Sequence, residues 1–325
     1  MGIIYILCMF VVAMITSSCN KDDVIEATYE ENHYRAKSEN SSAEWSKVFE
    51  YTPAPGQFIG DTRTGGFTGN ESTAADAAAY AEERLSKGAF ISLGGYGGYI
   101  VVGFDHSIDN NHGYDIAIKG NSFTGSSEPG IVWVMQDENG DGEPNDTWYE
   151  LRGSEVGKKS TLRNYSVTYY KTASDHVATP KPDTPITDTT YIPWIANDGT
   201  SGYVEKNSYH TQDYFPKWIS AGELTFTGTR LGHNAIDESG VGNYYVLYAY
   251  DWGYADNHPN EVDDKSCFDI DWAVDKNGNH VILDGVDFIR VFTGVNQSCG
   301  WLGETSTEIC RAEDLHIDTN PLPNP

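Results

Sequence analysis

The stretch Tyr165–Tyr170 reads Tyr-Ser-Val-Thr-Tyr-Tyr, and it decides the fold class. Tyr165, Val167 and Tyr169 alternate with Ser166, Thr168 and Tyr170, which is the pattern of a strand covered on one face. Six further runs are rich in Val, Ile, Tyr and Phe and are separated by Gly, Asn, Asp and Pro clusters, so they are also predicted strands. They are Tyr99–Phe104, Tyr114–Lys119, Ile131–Gln136, Tyr244–Tyr250, Phe268–Val274 and Asp287–Thr293.

Together these runs predict an all-β fold, an antiparallel β-sandwich of jelly-roll type with long decorated loops. Tyr244–Tyr250 is apolar on both faces, which predicts a central strand between two layers. One helix is predicted over Ala74–Leu85, because Thr73 and Asp76 form a capping box and Gly88 follows as a stop signal. No repeat or clean linker interrupts residues 56–320, which are therefore predicted to form one domain, with 321–325 as a tail.

The N-terminus is predicted to carry a lipoprotein signal. An apolar run from Ile3 to Ile15 is too short to span a bilayer, and small residues then precede Cys19. We expect residues 1–18 to be a signal peptide and Cys19 to be lipidated, which anchors a protein through its acyl chains. Because residues 1–18 contain no Lys or Arg, a short membrane anchor or a misassigned start stays open. Residues 19–55 are polar and are predicted to be a flexible tether.

Charge narrows the range of partners. The formal net charge is −27, which repels nucleic acid and anionic lipid and favours neutral ligands, cations or a basic protein.

After Cys19 three cysteines follow, Cys267, Cys299 and Cys310. Their odd number cannot pair completely, although Cys299 and Cys310 could form a bridge. The chain has no phosphate-binding Gly loop, no GxSxG and no HExxH motif, so we expect it not to be an enzyme.

The segment from Asp137 to Asp146 resembles the first half of a calcium loop. It has oxygen-bearing side chains at positions 1, 3 and 5 and a glycine at position 6. Trp148 occupies position 12, so Asp146 or Glu150 would have to complete the coordination. The alternative is a tight turn between two strands. The candidate ligands of a structural Ca²⁺ are Asp137, Asn139, Asp141, Glu143 and Asp146.

Aromatic side chains in Gly-rich loops, next to Asn, Asp and His, are typical of a platform for a flat or sugar-like ligand. The alternative is that these rings close the ends of the sandwich. Carboxylates are too abundant for any acid–base pair to be singled out. The candidate ligand-binding residues are Trp194, His210, Tyr214, Trp218, Trp252, Tyr254, His258 and Trp301.

Several segments together resemble a family of Bacteroidetes cell-surface lipoproteins, some of them described as PKD-domain proteins, over roughly residues 50–320. The residues after Cys19, Lys21-Asp22-Asp23, resemble the signal that exports such lipoproteins to the outer face of the outer membrane. The segments are Ser92–Ile100 (SLGGYGGYI), Gly103–Asp105 (GFD), Ser127–Val134 (SEPGIVWV), Trp148–Leu151 (WYEL), Asp251–Tyr254 (DWGY), Asp287–Val291 (DFIRV) and Gly300–Glu308 (GWLGETSTE).

The resemblance implies a lipid-anchored surface protein that captures cobalamin or a related corrinoid and delivers it to a TonB-dependent transporter. A His nitrogen could then bind the cobalt, and His210 and His258 are candidates by their position in loops. A glycan-binding module is the alternative, followed by a glycoside hydrolase or lyase, and by an adhesive component that binds another protein.

Overall fold

The computed structural model describes residues 34–64, 66–262 and 264–317. The predicted signal peptide, Cys19, the tether up to residue 33 and the tail 321–325 lie outside these residues. The strands are β1 (Lys47–Thr52), β2 (Ile91–Ser92), β3 (Tyr99–Asp109), β4 (Ile116–Lys119), β5 (Gly130–Met135), β6 (Trp148–Leu151), β7 (Leu162–Tyr170), β8 (Ile186–Ala196), β9 (Ser201–Asn207), β10 (Glu223–Arg230), β11 (Ala235–Asp237), β12 (Tyr245–Leu247), β13 (Cys267–Phe268), β14 (Ala273–Val274), β15 (Gly285–Thr293), β16 (Glu308–Ile309) and β17 (Arg311–Asp314).

The main sheet has six strands in the order β1-β3-β15-β5-β6-β14, with antiparallel neighbours. Its central strand β15 is buried at all but one of its positions. Alternate residues of this sheet contribute to two different cores, because Val132, Ile289 and Val291 face one side while Ile131 and Phe292 face the other. The sheet is therefore covered on both faces, and its central strands are apolar throughout.

A four-stranded sheet covers one of these faces. Its order β10-β7-β8-β9 places the fourth strand beside the first, as in a Greek key. Tyr165, Val167 and Tyr169 of β7 are buried while their neighbours are partly exposed. Phe292 of the main sheet packs into the same core, with its ring 6.3 Å from that of Tyr96. The predicted all-β antiparallel sandwich is confirmed.

The opposite face of the main sheet is covered by α1 (Ala74–Ser86) and by the sheet β13-β4-β17. The helix begins as predicted, because the Thr73 side chain accepts from the backbone of Asp76 while the Asp76 carboxylate accepts from the backbone of Thr73. The described residues contain no helix that is long and apolar enough to cross a membrane. Short 3₁₀ helices lie at Thr62–Thr64, Ile270–Trp272 and Gly300–Leu302.

Two sequence predictions about the fold are wrong. Tyr244–Tyr250 is not a central strand, since only Tyr245–Leu247 pairs, in a hairpin with β11, and Tyr244 is 61% exposed. Tyrosine tolerates this position because its hydroxyl can stay in water. The tether does not extend to residue 55, because β1 is an edge strand of the main sheet and Arg35 already forms an ion pair with Asp287 at 3.0 Å.

Predicted strand Phe268–Val274 is also interrupted. The structure divides it into β13, a 3₁₀ turn over Ile270–Trp272 and β14. The side chain of Asp269 accepts a hydrogen bond from the backbone N–H of Asp271, which caps this turn. A short polar side chain that bonds to its own backbone competes with strand pairing, and this local interaction explains the break.

Candidate ligand-binding cavity

A concave feature with a buried floor and an open mouth lies against the four-stranded sheet. It has a volume of about 390 Å³ and is lined by β7, β8, β9, the end of β10 and the segment from Val295 to Thr305. Its floor consists of buried side chains such as Tyr96, Tyr165 and Tyr169, whereas Tyr203 and Asp198 at its mouth are exposed. This volume lies within the range of about 300–1,000 Å³ that is usual for small-molecule sites.

The aromatic floor is held rigidly by hydrogen bonds from its phenol groups. The Tyr169 hydroxyl donates to the carbonyl of Tyr96 at 3.1 Å, and the Tyr96 hydroxyl donates to the carbonyl of Tyr165 at 3.2 Å. The Tyr165 hydroxyl accepts from the side-chain amide of Asn296 at 3.1 Å. Because these polar groups are already paired, the rings present mainly their apolar surface to a ligand.

Glu304 contributes the most unusual polar group of the cavity. Its Oε1 accepts a hydrogen bond of 2.6 Å from the backbone N–H of Gln57, whereas its buried Oε2 has no hydrogen-bond partner within the described part of the chain. Burial raises the pKa of Glu304 to about 8. A carboxyl group with this pKa carries its proton at neutral pH, so its free oxygen can donate a hydrogen bond.

Two glycines make room for this carboxyl group. A Cβ at Gly56 would lie 2.5 Å from Glu304 Oε1, so a larger residue there would displace the side chain. Gly303 has φ of +86° and approaches the Gln57 amide closely, and that amide donates to the carbonyl of Leu302. The Asn207 side chain in turn donates to Gln57 Oε1 at 2.6 Å. The position of Glu304 is thus set by contacts with distant parts of the chain.

Arg230 supplies the positive charge of the cavity. Its guanidinium carbon lies 5.2 Å from the centre of the Tyr165 ring, and its Nη2 donates to the carbonyl of Ser160 at 3.3 Å. Its buried Nε has no partner among the residues that the structure describes. A buried N–H without a partner costs about 1–3 kcal/mol, so a ligand that accepts this hydrogen bond recovers that cost.

The charges around the cavity nearly cancel. A 2.6 Å hydrogen bond from the Thr200 hydroxyl lowers the pKa of Asp198, which stays ionised and balances Arg230. Burial raises the pKa of both Glu205 and Glu304, and the pKa of about 8 leaves Glu304 uncharged at neutral pH. Burial also lowers the pKa of His233, which favours a neutral ring. The cavity is therefore much less acidic than the molecule as a whole.

Of the predicted ligand-binding residues, Trp194 alone lines this cavity. Tyr214 and Tyr254 are buried in the core, where their hydroxyls accept from the backbone N–H groups of Asn207 and Glu155. The two rings therefore fill the structure, as the alternative interpretation expected. Their loop context was misleading because a buried Tyr and a ligand-binding Tyr both need a polar partner.

The other predicted residues are scattered. Trp252 packs on Trp272 with ring centres 4.7 Å apart, and Trp218 packs on Phe67 at 4.3 Å. Trp301 donates to the carbonyl of Asn243 at 3.3 Å. None of these three lines the candidate cavity, although Trp218 borders a separate cavity of about 50 Å³.

The two candidate cobalt-binding histidines also have protein partners. Nδ1 of His210 lies 3.2 Å from Asp61 Oδ2, and the ring packs edge-on against Phe58. Nε2 of His258 lies 2.7 Å from the carbonyl oxygen of Tyr250, so this nitrogen carries the proton and donates. A protonated ring nitrogen cannot bind a metal, and Nε2 of His258 is therefore occupied.

The segment from Asp137 to Asp146, hereafter the acidic loop, connects β5 and β6, which pair as a hairpin. Both carboxylate oxygens of Asp137 accept backbone hydrogen bonds, from Gly140 at 2.8 Å and Gly142 at 3.0 Å. Asp146 accepts from the backbone of Glu138 at 2.9 Å. Glu150 does not belong to the loop's oxygen set, because it is buried and accepts from Thr229 at 2.6 Å. Asp146 is therefore the residue left to complete a calcium site.

A second acidic group was missed by sequence reasoning. Glu128, Asp256 and Glu308 place carboxylate oxygens within 4.8 Å of one another, and we refer to them as the buried acidic cluster. Asp256 accepts from the backbone N–H groups of Asn121, Ser122 and Glu308 at 2.8–2.9 Å. Burial raises the pKa of Glu128 to about 7 and the pKa values of Asp256 and Glu308 well above their usual range.

The described cysteines are free thiols, so the possible Cys299–Cys310 bridge is not formed. Burial raises the pKa of both Cys299 and Cys310 to about 11, which keeps these thiols protonated and unreactive.

No protein-family model matches the chain, and no curated protein matches its sequence. Two segments on which the sequence resemblance rests do meet at the cavity, since Gly95 and Tyr96 come from one and Glu304 and Thr305 from another.

Proposed function

We propose that this protein is a non-enzymatic receptor that captures a neutral ligand in the cavity. The observation that carries the proposal is the pairing of an aromatic floor with two buried polar atoms, Arg230 Nε and Glu304 Oε2, that have no partner among the described residues. A few converging polar groups above apolar rings are typical of a small-molecule site. The negative charge of Asp198 nearly cancels the positive charge of Arg230, which favours an uncharged ligand.

Two ligand classes fit this description. A corrinoid is implied by the sequence resemblance, and its amide-bearing periphery offers neutral hydrogen-bonding groups of the required kind. A glycan is favoured by the volume of about 390 Å³, because a cavity of that size encloses one or two sugar rings but only a peripheral arm of a corrinoid. Sugar rings also stack on side chains such as Trp194, which lines the cavity.

The proposed setting is the outer face of the outer membrane, with Cys19 as the lipid anchor and a TonB-dependent transporter as the receiver of the ligand. This setting rests on the N-terminal sequence and on the resemblance. The net charge of −27 supports a small neutral ligand or a basic protein surface as the partner and argues against nucleic acid.

The experiment is isothermal titration of the purified protein with cyanocobalamin and, separately, with a panel of neutral glycans. We expect micromolar or tighter binding of one class and no turnover of any glycan. Trp194→Ala should weaken that binding about tenfold or more, because an aromatic wall residue commonly contributes over 1 kcal/mol.

Trp252→Ala is the matched control, since it removes the same side chain outside the cavity. Melting curves of both variants separate lost binding from lost structure. Failure of both ligand classes to bind would refute the receptor proposal, and hydrolysis of a glycan would show that the protein is an enzyme.

A further inference from the structure

We propose that Glu304 acts as an uncharged carboxylic acid that donates a hydrogen bond from Oε2 to the ligand, and so selects ligands that present an uncharged oxygen acceptor. The inference rests on the proposed function, because it assigns a specificity-determining role within the same cavity. The acceptor would be a hydroxyl or ring oxygen of a glycan, or an amide carbonyl of a corrinoid.

The geometry assigns different roles to the two oxygens of this carboxyl group. Oε1 is an acceptor, since the backbone N–H of Gln57 can only donate, and it does so at 2.6 Å. The proton therefore belongs on Oε2, which is buried and unpartnered within the described part of the chain. A carboxyl group fixed in this way holds its donor at one defined point of a residue that lines the cavity.

The surroundings favour the neutral form. Burial is the main cause of the raised pKa, about 8, and the negative charge of Glu128 acts in the same direction. Two backbone N–H groups, those of Glu304 and Gln57, favour the ionised form but do not outweigh burial. The titratable and charged groups on the elements around Glu304 are Glu128, Tyr169, Glu205, Tyr214, Arg230, His233 and Cys299.

Arg230 strengthens the assignment, because its buried Nε is a second donor without a partner in the described residues. Two residues that line the cavity thus carry donors without an acceptor among the described residues. A ligand with two suitably spaced oxygen acceptors would satisfy both, and a ligand lacking one would leave a buried donor unpaired.

The test compares ligand binding at pH 7 and pH 9.5, with cyanocobalamin, maltose, cellobiose and N-acetylglucosamine as probes. If only the protonated form of Glu304 binds, the apparent dissociation constant of the wild-type protein rises about 30-fold between these pH values. Glu304→Gln keeps an acceptor for Gln57 and a permanent N–H donor in place of Oε2. Whatever the affinity of this variant at pH 7, we expect it to lose little of that affinity at pH 9.5.

Glu205→Gln is the matched control, because it removes a carboxylate from the same cavity and leaves Glu304 in place. It should keep the pH dependence of the wild type. Any pH dependence that persists in Glu304→Gln belongs to other titratable groups that this variant retains, such as Glu128 and Glu205. Carbon-13 NMR of the side-chain carboxyl groups provides a readout without ligand, since the signal lost in Glu304→Gln should titrate near pH 8.

The outcomes separate the two proposals. A probe that binds equally well at both pH values in the wild type, or titration of Glu304 near the usual pKa of a glutamate, would overturn the role of Glu304 and leave the receptor proposal intact. Absence of binding by all probes at pH 7 would overturn the receptor proposal, and the role of Glu304 with it.

Discussion

The acidic loop and the buried acidic cluster both gather carboxylates, but they stabilise them in opposite ways. In the loop, Asp141 is exposed, and its pKa is lowered, chiefly by a 2.8 Å hydrogen bond from the Asn145 side chain. In the cluster, burial raises the pKa of Glu128 to about 7. The loop is assembled from neighbours in sequence, whereas the cluster joins residues that lie far apart. The comparison shows that desolvation, and not the number of carboxylates, decides their charge.

The largest expected effect is on stability. Asp256→Ala should lower the free energy of unfolding by about 3 kcal/mol or more, because it leaves the buried N–H groups of Asn121, Ser122 and Glu308 without an acceptor. Asp146→Ala in the exposed loop should cost about 1 kcal/mol or less. Urea unfolding of the two variants measures the difference.

Asp256→Asn is the control for backbone strain. Asparagine tolerates the φ of +52° at this position and keeps one acceptor oxygen. The decrease in the free energy of unfolding should therefore be smaller for Asp256→Asn than for Asp256→Ala. Similar losses for Asp256→Ala and Asp146→Ala would show that burial does not distinguish the cluster from the loop.

The second prediction concerns pH. A buried acid whose folded-state pKa is raised binds its proton more tightly when folded, so its contribution is present below the unfolded pKa of about 4.5 and is lost as pH rises toward the folded value. For Glu128 and Glu304, with pKa values of about 7 and about 8, the loss occurs between pH 4.5 and 8. Each group contributes a slope of at most about 1.4 kcal/mol per pH unit.

Urea unfolding from pH 4.5 to 9 measures this slope, and the double variant Glu128→Gln, Glu304→Gln should reduce it to the part contributed by Asp256 and Glu308. Asp61 should have the opposite effect on stability, because the hydrogen bond from Arg63 lowers the pKa of Asp61 to about 2. That contribution is present above pH 4 and is lost as pH falls toward 2. A wild-type protein equally stable at pH 5 and pH 8 would contradict the raised pKa values.

The smallest effect concerns calcium at the acidic loop. We expect weak binding, in the millimolar range of extracellular modules, and a rise in melting temperature of a few degrees that a chelator reverses. Asp141→Asn should abolish the rise. Asp275→Asn is a suitable control, because Asp275 caps a similar turn by accepting from the backbone of Asn277 and Asn279 at 2.8 Å. If calcium produces no heat on titration and no shift in melting temperature, the loop is a hairpin turn and not a calcium site.

The sequence predicted those features whose cause is local. The capping box of α1 and the alternation in β7 each depend on residues a few positions apart, and both are confirmed. The tether boundary was placed too late because β1 is short, and only its pairing with β3 shows that it belongs to the sheet. Tyr244–Tyr250 was misjudged because tyrosines look alike in a central strand and in an exposed hairpin.

The candidate site depended on contacts that the sequence does not display. Glu304 was quoted within a motif, but its significance comes from Gln57, which lies 247 residues earlier in the chain and occupies one of its oxygens. The eight predicted ligand-binding residues were chosen for residue type and loop context, and Trp194 was the one that reached the cavity. The available signal was that Glu304 lies between a glycine-rich and a Thr/Ser-rich stretch. A carboxyl group in such a stretch has few exposed polar residues around it.

The position of β15 has a consequence for how the chain folds. This strand lies between β3 and β5 in the main sheet, yet it is formed by Gly285–Thr293, close to the C-terminal end of the described residues. An incomplete chain therefore leaves the edges of β3 and β5 open, and its two cores cannot close until nearly all of it is available. Such non-local pairing makes folding slow, so a chain threaded through a membrane pore would stay extended until its last strands have followed.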